Sequence, residues 1–206
     1  MISDERDNVI KRLDLSGDVA GRLDVYVSFL EETQAVMNLI ADSTLPVVWT
    51  RHVWDSAQLS ALLEPSDKIV LDLGSGAGFP GIVLALMNPD KTFHLTESEG
   101  RKSDFLKEAA LKCGAENVVV HNDRIEKLPS FAADVITARA LAPLDKLAAY
   151  ALPFMKKGTR CLFMKGKKAD EELKACLKKF AFKVEKVQSQ TSGEGRILCM
   201  TEVRKK

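Results

Sequence analysis

Residues 70–81 hold the side chains and spacings best suited to chemistry in this 206-residue chain. A short apolar strand ends in an acid, Asp72, and then breaks into alternate glycines at Gly74, Gly76 and Gly78. A loop that lacks Cβ atoms lets backbone N–H groups come close to a ligand. In an open α/β sheet, a loop of this kind after a strand is where a nucleotide-like cofactor binds.

The glycine spacing admits two cofactors. Gly76, Gly78 and Gly81 match G-x-G-x-x-G, the pattern that brings a dinucleotide pyrophosphate onto a helix N-terminus. Asp72, however, places a carboxylate in the last turn of the strand, where it would repel a pyrophosphate and suit a cation. S-Adenosylmethionine carries a positive amino group and a positive sulfonium, so the loop predicts a site for that cofactor.

Further cofactor contacts are expected where neighbouring strands end. Glu97 closes the second predicted strand, at a position where a carboxylate can accept hydrogen bonds from both ribose hydroxyls. Ile125 and Glu126 follow the third strand, where methyltransferases usually contact adenine with an apolar side chain and a polar group. These three residues are therefore candidate cofactor ligands.

The segment 137–142, after the fourth predicted strand, is where a methyl acceptor should lie. It lacks the Asn-Pro-Pro-aromatic sequence of enzymes that methylate exocyclic base amines, and it lacks the cysteine that cytosine-C5 methylation needs. An acceptor with an available lone pair remains, and guanine N7 fits because it needs no deprotonation. Arg139 is then the candidate catalytic residue, acting by positioning and electrostatics, and its donors could also bind guanine O6 or phosphate.

Strands alternate with helices from residue 68 onward, which predicts an α/β fold with a doubly wound sheet. Only a short Ser-Gly-Glu-Gly turn joins the last two strands, so they should form an antiparallel hairpin, as in Rossmann-like class I methyltransferases. The predicted fold is a seven-stranded, mostly parallel sheet with this C-terminal hairpin and an N-terminal helical cap. Predicted strands cover 68–73, 92–97, 117–121, 133–138, 159–165, 183–190 and 196–203, and predicted helices cover 80–88, 101–113, 144–152 and 169–180.

The N-terminal cap should contain two helices before the sheet. Apolar residues recur at helical spacing from Asp18 to about Ile40, and a second helix is predicted from about Arg51 to Leu63. The predicted organisation is one methyltransferase domain, 1–206, with a helical extension at 1–64 and a cofactor-binding core at 65–206. The extension is expected near the substrate side of the cleft, where Arg51 and His52 stand out.

Composition limits the possible classes. The chain is 46% hydrophobic, enough to fill one sizeable core, and no apolar run approaches the ~18 residues that span a bilayer. Its four cysteines show no C-x-x-C spacing, which predicts no metal site, and a reduced, cytoplasmic protein is expected. Net charge is only +1, but residues 151–206 hold 15 Lys/Arg against 6 Asp/Glu, which makes RNA a plausible partner.

Several motifs together resemble the bacterial RsmG family, formerly the glucose-inhibited division protein B (GidB) family. The resemblance covers nearly the whole chain in the right order. Its strongest markers are the Arg-His-x-x-Asp-Ser segment and the Phe-Pro-Gly that closes the glycine loop. The matching residues are Trp49-Thr50-Arg51-His52, Asp55-Ser56, Leu71 to Gly81, Arg124-x-Glu126, Ala138-Arg139-Ala140 and Lys165-Gly166.

The resemblance implies methylation of guanine N7 in a 16S ribosomal RNA loop near the decoding region, with S-adenosylmethionine as donor. It implies cofactor contacts at Gly74, Phe79, Glu97, Ile125, Glu126 and Arg139. It also implies that Arg51, His52, Arg124 and Lys165 face RNA or hold the cleft. The expected partner is 16S rRNA or the small ribosomal subunit, with no DNA or membrane partner, and a monomer is expected.

Two other functions are compatible with the residues. A methyltransferase for a small molecule or a protein would share the cofactor site but would need no basic face around it. An NAD-binding oxidoreductase or a non-catalytic binding module is disfavoured by Asp72 and by the terminal hairpin. Whether the C-terminal lysines and Arg51 converge on one surface separates an RNA substrate from a small one.

Overall fold

A computed structural model describes residues 2–206 of the chain. Within them, seven strands form one sheet in the order β3-β2-β1-β4-β5-β7-β6. Strand β7 is antiparallel to both of its neighbours, and every pair formed among strands β1 to β5 is parallel. The strands are β1 Ile69–Leu73, β2 Thr92–Thr96, β3 Val118–His121, β4 Ala133–Arg139, β5 Met155–Lys165, β6 Phe180–Gln188 and β7 Arg196–Lys205. The predicted fold class is confirmed, including the C-terminal hairpin.

Helices cover both faces of this sheet. The α-helices are α1 Ile2–Leu13, α2 Gly17–Gln34, α3 Asp55–Ala57, α4 Gly81–Met87, α5 Gly100–Lys112, α6 Leu144–Ala151 and α7 Ala169–Cys176. Short 3₁₀ segments cover Asp42–Val47, Gln58–Leu62, Ile125–Lys127 and Leu152–Phe154, and a π-helical turn covers Trp49–Trp54. None of the described helices is both long and apolar enough to cross a membrane.

The core consists of two apolar layers, one on each face of the sheet. Successive residues of a strand point to opposite faces, so Val70 packs in one layer and Leu71 in the other. Helices α2, α4 and α5 close the first layer, while α6 and α7 close the second. Because both faces are covered, apolar residues of the central strands β1 and β4 are buried on both faces of the sheet.

The first predicted helix ends earlier than expected. It was predicted to run to Ile40, but α2 stops at Gln34 because the side chain of Gln34 binds the backbone that follows. Its Oε1 accepts from the N–H groups of Leu39 and Ile40, at 2.9 and 3.0 Å, and its Nε2 donates to the Ile40 carbonyl at 2.9 Å. After Gln34 the chain therefore turns back, so that residues 39 and 40 lie against the end of α2.

Other elements also differ from the predictions, and strand β5 begins four residues earlier than expected. The predicted helix from Arg51 to Leu63 begins at Trp49 and changes from a π turn to α and then to 3₁₀ geometry. Helix α7 ends at Cys176 rather than 180, because Phe180 already pairs with Lys205 in the terminal hairpin. Helix α1 was not predicted, since most of its residues are polar and only a few, such as Val9 and Leu13, are apolar.

Helix α2 reaches the glycine loop directly. The buried hydroxyl of Tyr26 donates to the carbonyl of Ala77 at 2.6 Å, and the Tyr26 ring packs against Phe79 with centroids 5.4 Å apart. A Cβ added at Gly78 would lie 2.9 Å from the Tyr26 hydroxyl. Helix α2 thus supports the glycine loop from inside the protein.

Replacing Tyr26 by phenylalanine should lower the free energy of unfolding by about 1–3 kcal/mol, because the buried Ala77 carbonyl loses its donor. Urea unfolding measures this difference. Tyr150→Phe is the matched control, since the Tyr150 hydroxyl bonds to the exposed Glu126 and its loss should change stability little. Equal effects of the two substitutions would contradict the support of the loop by Tyr26.

Candidate active site

The glycine loop is held open by backbone conformations that glycine adopts easily. Gly74, Gly76 and Gly78 have φ of +64°, +57° and +100°. The loop is fixed to the end of β2, because the Gly74 N–H donates to Thr96 Oγ1 at 3.0 Å and the Ser75 N–H donates to the Thr96 carbonyl at 2.9 Å. The result is a shallow cradle at the carboxyl end of the sheet, in which Gly74 and Gly76 are partly exposed.

Glu97 lies beside this cradle with its carboxylate already oriented. Its Oε2 accepts from the Gly76 N–H at 3.1 Å, and its Oε1 accepts from the Glu99 N–H at 2.8 Å. Each carboxylate oxygen has a second lone pair that can accept another donor. Two adjacent hydroxyls of a ribose are donors of the required kind.

Asp72 lies under the cradle rather than in it. Its side chain is 1% exposed and its Oδ1 accepts from the Thr137 hydroxyl at 2.8 Å. Burial raises the pKa of Asp72 to about 6, against the opposing hydrogen bonds of Ser75 and Thr137. The carboxyl group is therefore enclosed beneath the glycine loop and is not exposed on its surface.

Arg139 at the end of β4 joins three separate segments. Its guanidinium forms an ion pair with Asp55 at 3.4 Å, donates to His52 Nδ1 at 2.8 Å and lies over the Phe79 ring, 5.0 Å from the centroid. The Arg139 and Asp55 side chains are 18% and 11% exposed. Burial lowers the pKa of Arg139, whereas the charge of Asp55 raises it.

His52 is a neutral imidazole of known tautomer. Arg139 can only donate, so Nδ1 of His52 is the acceptor, and Nε2 carries the proton that it donates to Thr44 Oγ1 at 2.8 Å. Burial, reinforced by the charges of Arg139 and Arg51, lowers the pKa of His52 to about 3. Its ring stacks on Phe79 with centroids 4.9 Å apart. His52 thus packs the cleft and carries no charge near neutral pH.

A cavity of about 530 Å³ opens next to this cluster. Its size is within the usual range for small-molecule sites. Part of its wall is Leu141, whose Cδ1 would lie 2.5 Å from a Cβ at Gly74, so the cavity adjoins the glycine cradle. The cavity is lined by Arg51, His52, Asp55, residues 139–143, Met164, Lys165, Gly166, Glu172, Ser189, Ser192 and residues 195–197.

Lys165 closes the far wall of the cavity. Its side chain is 9% exposed, and its Nζ donates to the Ala142 carbonyl at 2.8 Å and pairs with Glu172 at 2.7 Å. The exposed Arg51 is different, because its guanidinium has no hydrogen bond or ion pair to any residue between 2 and 206. The cation of Arg51 is thus available to a ligand at the cavity, whereas that of Lys165 is already bound to Glu172 and the Ala142 carbonyl.

Comparison with known proteins identifies the family. The GidB model, described as rRNA small subunit methyltransferase G, matches residues 20–199. The chain belongs to the GidB family. The predicted RsmG (GidB) resemblance is therefore confirmed. Ribosomal RNA small subunit methyltransferase G of Paramagnetospirillum magneticum is 42% identical over 198 residues, which cover 96% of this chain and 95% of that protein. The protein of the same name from Rhodospirillum rubrum is 42% identical over 191 residues, 93% of this chain and 94% of that protein.

Solved structures support the fold of this GidB-family chain. A putative O-methyltransferase from Klebsiella pneumoniae has a TM-score of 0.63 at 16% identity, covering 95% of this chain and 94% of that chain. Fibrillarin from Aeropyrum pernix, with natively bound S-adenosyl-L-methionine, has a TM-score of 0.56 at 17% identity. The match covers 74% of this chain and 75% of that chain. At these identities the likeness concerns the fold alone.

The structure gathers most, though not all, of the predicted site residues of the GidB-family chain. Gly74, Gly76, Gly78, Phe79 and Glu97 form or adjoin the cradle, and Arg51, His52, Arg139 and Lys165 line the cavity beside it. Ile125, partly buried against the second apolar layer, and the exposed Arg124 and Glu126 lie after β3 and do not line the cavity. Sequence reasoning missed Tyr26 and Glu172, since no spacing relates them to the motifs.

The basic residues of the C-terminal quarter do not form one surface. Lys165 and Arg196 pair across β5 and β7 beside the cavity. Lys156 and Lys157 begin β5, and residues 204–206 end the antiparallel β7, which places them at the opposite end of the sheet. The predicted patch is therefore divided: Lys165 and Arg196 lie with Arg51 at the cavity, whereas the basic residues at the start of β5 and the end of β7 lie away from it. Among the described residues, no group of three or more His, Cys, Asp or Glu side chains could hold a metal ion.

Replacing Gly74 by alanine should raise the dissociation constant for S-adenosylmethionine at least about tenfold. The new Cβ would require a left-handed backbone that costs about 1–2 kcal/mol and would collide with Leu141. Equilibrium dialysis with labelled cofactor measures the constant. Gly21→Ala, in helix α2 with open space around the added Cβ, is the control and should leave affinity unchanged. Unchanged affinity of the Gly74 variant would remove the cradle from the site.

Replacing His52 by glutamine should flatten the acid limb of the stability curve. The unfolded chain protonates His52 near pH 6.5, whereas the folded chain keeps it neutral down to about 3, so its stability contribution is present above 6.5 and lost as pH falls. Between pH 7 and pH 5 the wild type should lose about 2 kcal/mol more than the variant. Urea unfolding at both pH values tests this, and parallel losses would contradict the neutral histidine.

Proposed function

We propose that this GidB-family protein methylates N7 of a guanine in 16S ribosomal RNA, with S-adenosylmethionine as methyl donor. The observation that carries the proposal is the match to relatives named as ribosomal RNA small subunit methyltransferase G over more than nine-tenths of the chain. The location of the cavity supports it, since a cofactor cradle and an acceptor cavity with a free arginine share one edge of the sheet.

The residues present fit the donor. The backbone of Gly74, Gly76 and Gly78 leaves room for close approach, and the oriented carboxylate of Glu97 can accept from ribose hydroxyls. Ile125 and Glu126, after β3, are the residues we assign to adenine. When bound, the donor supplies an electrophilic methyl group on a positively charged sulfur.

The protein's own contribution is positioning and electrostatics, not proton abstraction. Guanine N7 already has a lone pair, and His52 is neutral with both ring nitrogens occupied by Arg139 and Thr44. Arg139 lines the cavity and is held in place by Asp55 and by the ring of Phe79. Its fixed guanidinium positions the acceptor base beside the cradle.

We further propose that residues 1–64 and 65–206 act as one catalytic domain. Tyr26, His52 and Asp55 from the first segment contact Ala77 and Arg139 of the second, so the acceptor cavity is incomplete without the extension. The proposal includes a monomer that acts on the small ribosomal subunit or its RNA in the cytoplasm and has no DNA or membrane partner.

The experiment incubates the protein with methyl-labelled S-adenosylmethionine and small subunits from cells that lack the native modification. Nucleosides are then separated and identified by mass spectrometry, with naked 16S rRNA and DNA as parallel substrates. Label in 7-methylguanosine is the expected result. No label in RNA, with cofactor binding intact, would overturn the proposal and favour a small-molecule or protein acceptor.

Replacing Arg51 by glutamine should weaken RNA binding and reduce the salt dependence of the binding constant by about one counterion, because one phosphate contact is lost. Filter binding across a salt series measures the slope. The control is Lys205→Gln, which removes an exposed cation at the other end of the sheet and should leave the slope unchanged. Equal slopes for all three proteins would contradict phosphate binding by Arg51.

A further inference from the structure

The carboxylate of Glu172 is fixed at the cavity wall with one oxygen in use. Its Oε2 accepts from Lys165 Nζ and from the Leu144 N–H, each at 2.7 Å. Its Oε1 accepts no hydrogen bond from any residue in the described part of the chain, and the side chain is 26% exposed where it lines the cavity. The contacts that hold the fold together thus leave one oriented acceptor available.

This acceptor lies across the cavity from the cofactor cradle. Lys165 ends β5 and Leu73 ends β1, and β4 lies between these two strands. Two strand spacings amount to about 10 Å. Leu141, which borders Gly74, and Glu172 line the same cavity, so a purine that presents N7 to the cradle can present its opposite edge to Glu172.

The chemistry of that opposite edge distinguishes guanine from adenine. In guanine, N7 and O6 lie on one side of the base, and the N1–H and N2–H₂ donors lie on the side away from N7. A carboxylate oxygen accepts from those donors, whereas adenine has an unprotonated N1 there. An unpaired carboxylate facing an acceptor is unfavourable, so the wall would reject adenine.

We propose that Glu172, held by Lys165, is a recognition subsite for the N1–H and N2–H₂ edge of the acceptor guanine. This inference rests on the proposed function, because it concerns the base that occupies the same cavity. Glu172 acts on the choice of base through Oε1, and its Oε2 contacts keep the carboxylate in place.

The test compares guanosine with inosine, which lacks the N2 amino group, at the methylated position. Small subunits are reconstituted with 16S rRNA that carries either nucleoside there, and kcat/KM for methyl transfer is measured. The wild type should prefer guanosine by roughly 10- to 100-fold, the value of one hydrogen bond to a charged group. Cofactor affinity is measured in parallel by equilibrium dialysis.

The decisive variant is Glu172→Gln. Its amide oxygen can keep the contacts to Lys165 and Leu144, while its NH₂ group presents donors to the donors of guanine. Turnover of guanosine should fall at least about tenfold, and the preference for guanosine over inosine should disappear, with cofactor affinity unchanged. Glu171→Gln, an exposed neighbour on α7 that does not line the cavity, is the matched control and should behave as wild type.

These outcomes distinguish a failure of the Glu172 subsite from a failure of the proposed function. If the wild type methylates guanosine and inosine equally, or if Glu172→Gln keeps the wild-type preference, the subsite is wrong and the proposed function stands. If the wild type transfers no label to subunits that carry guanosine at this position, the proposed function itself fails. A loss of preference confined to Glu172→Gln is the result that supports the subsite.

Discussion

The candidate site at the carboxyl end of the sheet depends on the compensation of one largely buried charge, the guanidinium of Arg139. A cation removed from water is costly unless opposite charge and acceptors surround it. Asp55 and His52 supply these from the N-terminal extension, and Phe79 supplies an aromatic face from the glycine loop. Three segments far apart in sequence are therefore fixed at one point, and both the cofactor cradle and the acceptor cavity border it.

The surroundings of Arg139 also set the charge of the cleft. Donation from Arg139 obliges His52 to remain neutral, and Asp55 offsets the arginine, so little net charge results from the cluster itself. Accessible positive charge at the cavity then comes from Arg51, whose side chain no described residue engages. In the proposed function, binding of a polyanion and positioning of the acceptor thus fall to different arginines, although both lie at the same cavity.

Much of the fold was predictable because its signals are local. Apolar strands, helical periodicity and the short Ser-Gly-Glu-Gly turn indicated the seven-stranded sheet and its terminal hairpin. The errors occurred where one side chain overrides periodicity: the cap made by Gln34 ended α2 before Ile40, and strand pairing drew Phe180 out of the predicted helix. The polar helix α1 was missed because its contacts, such as Glu5 to the Thr50 N–H, are with distant residues.

The sequence by itself determined the open glycine loop, since glycines at alternate positions after a strand form such a loop wherever the sheet places them, and the motifs identified the family. The tertiary structure decided the environment of each side chain. His52 became a neutral packing residue and Lys165 a buried partner of Glu172, while Lys156, Lys157 and residues 204–206 lie at the opposite end of the sheet. Burial, protonation and convergence depend on neighbours brought together by folding, and residue spacing along the chain does not specify those neighbours.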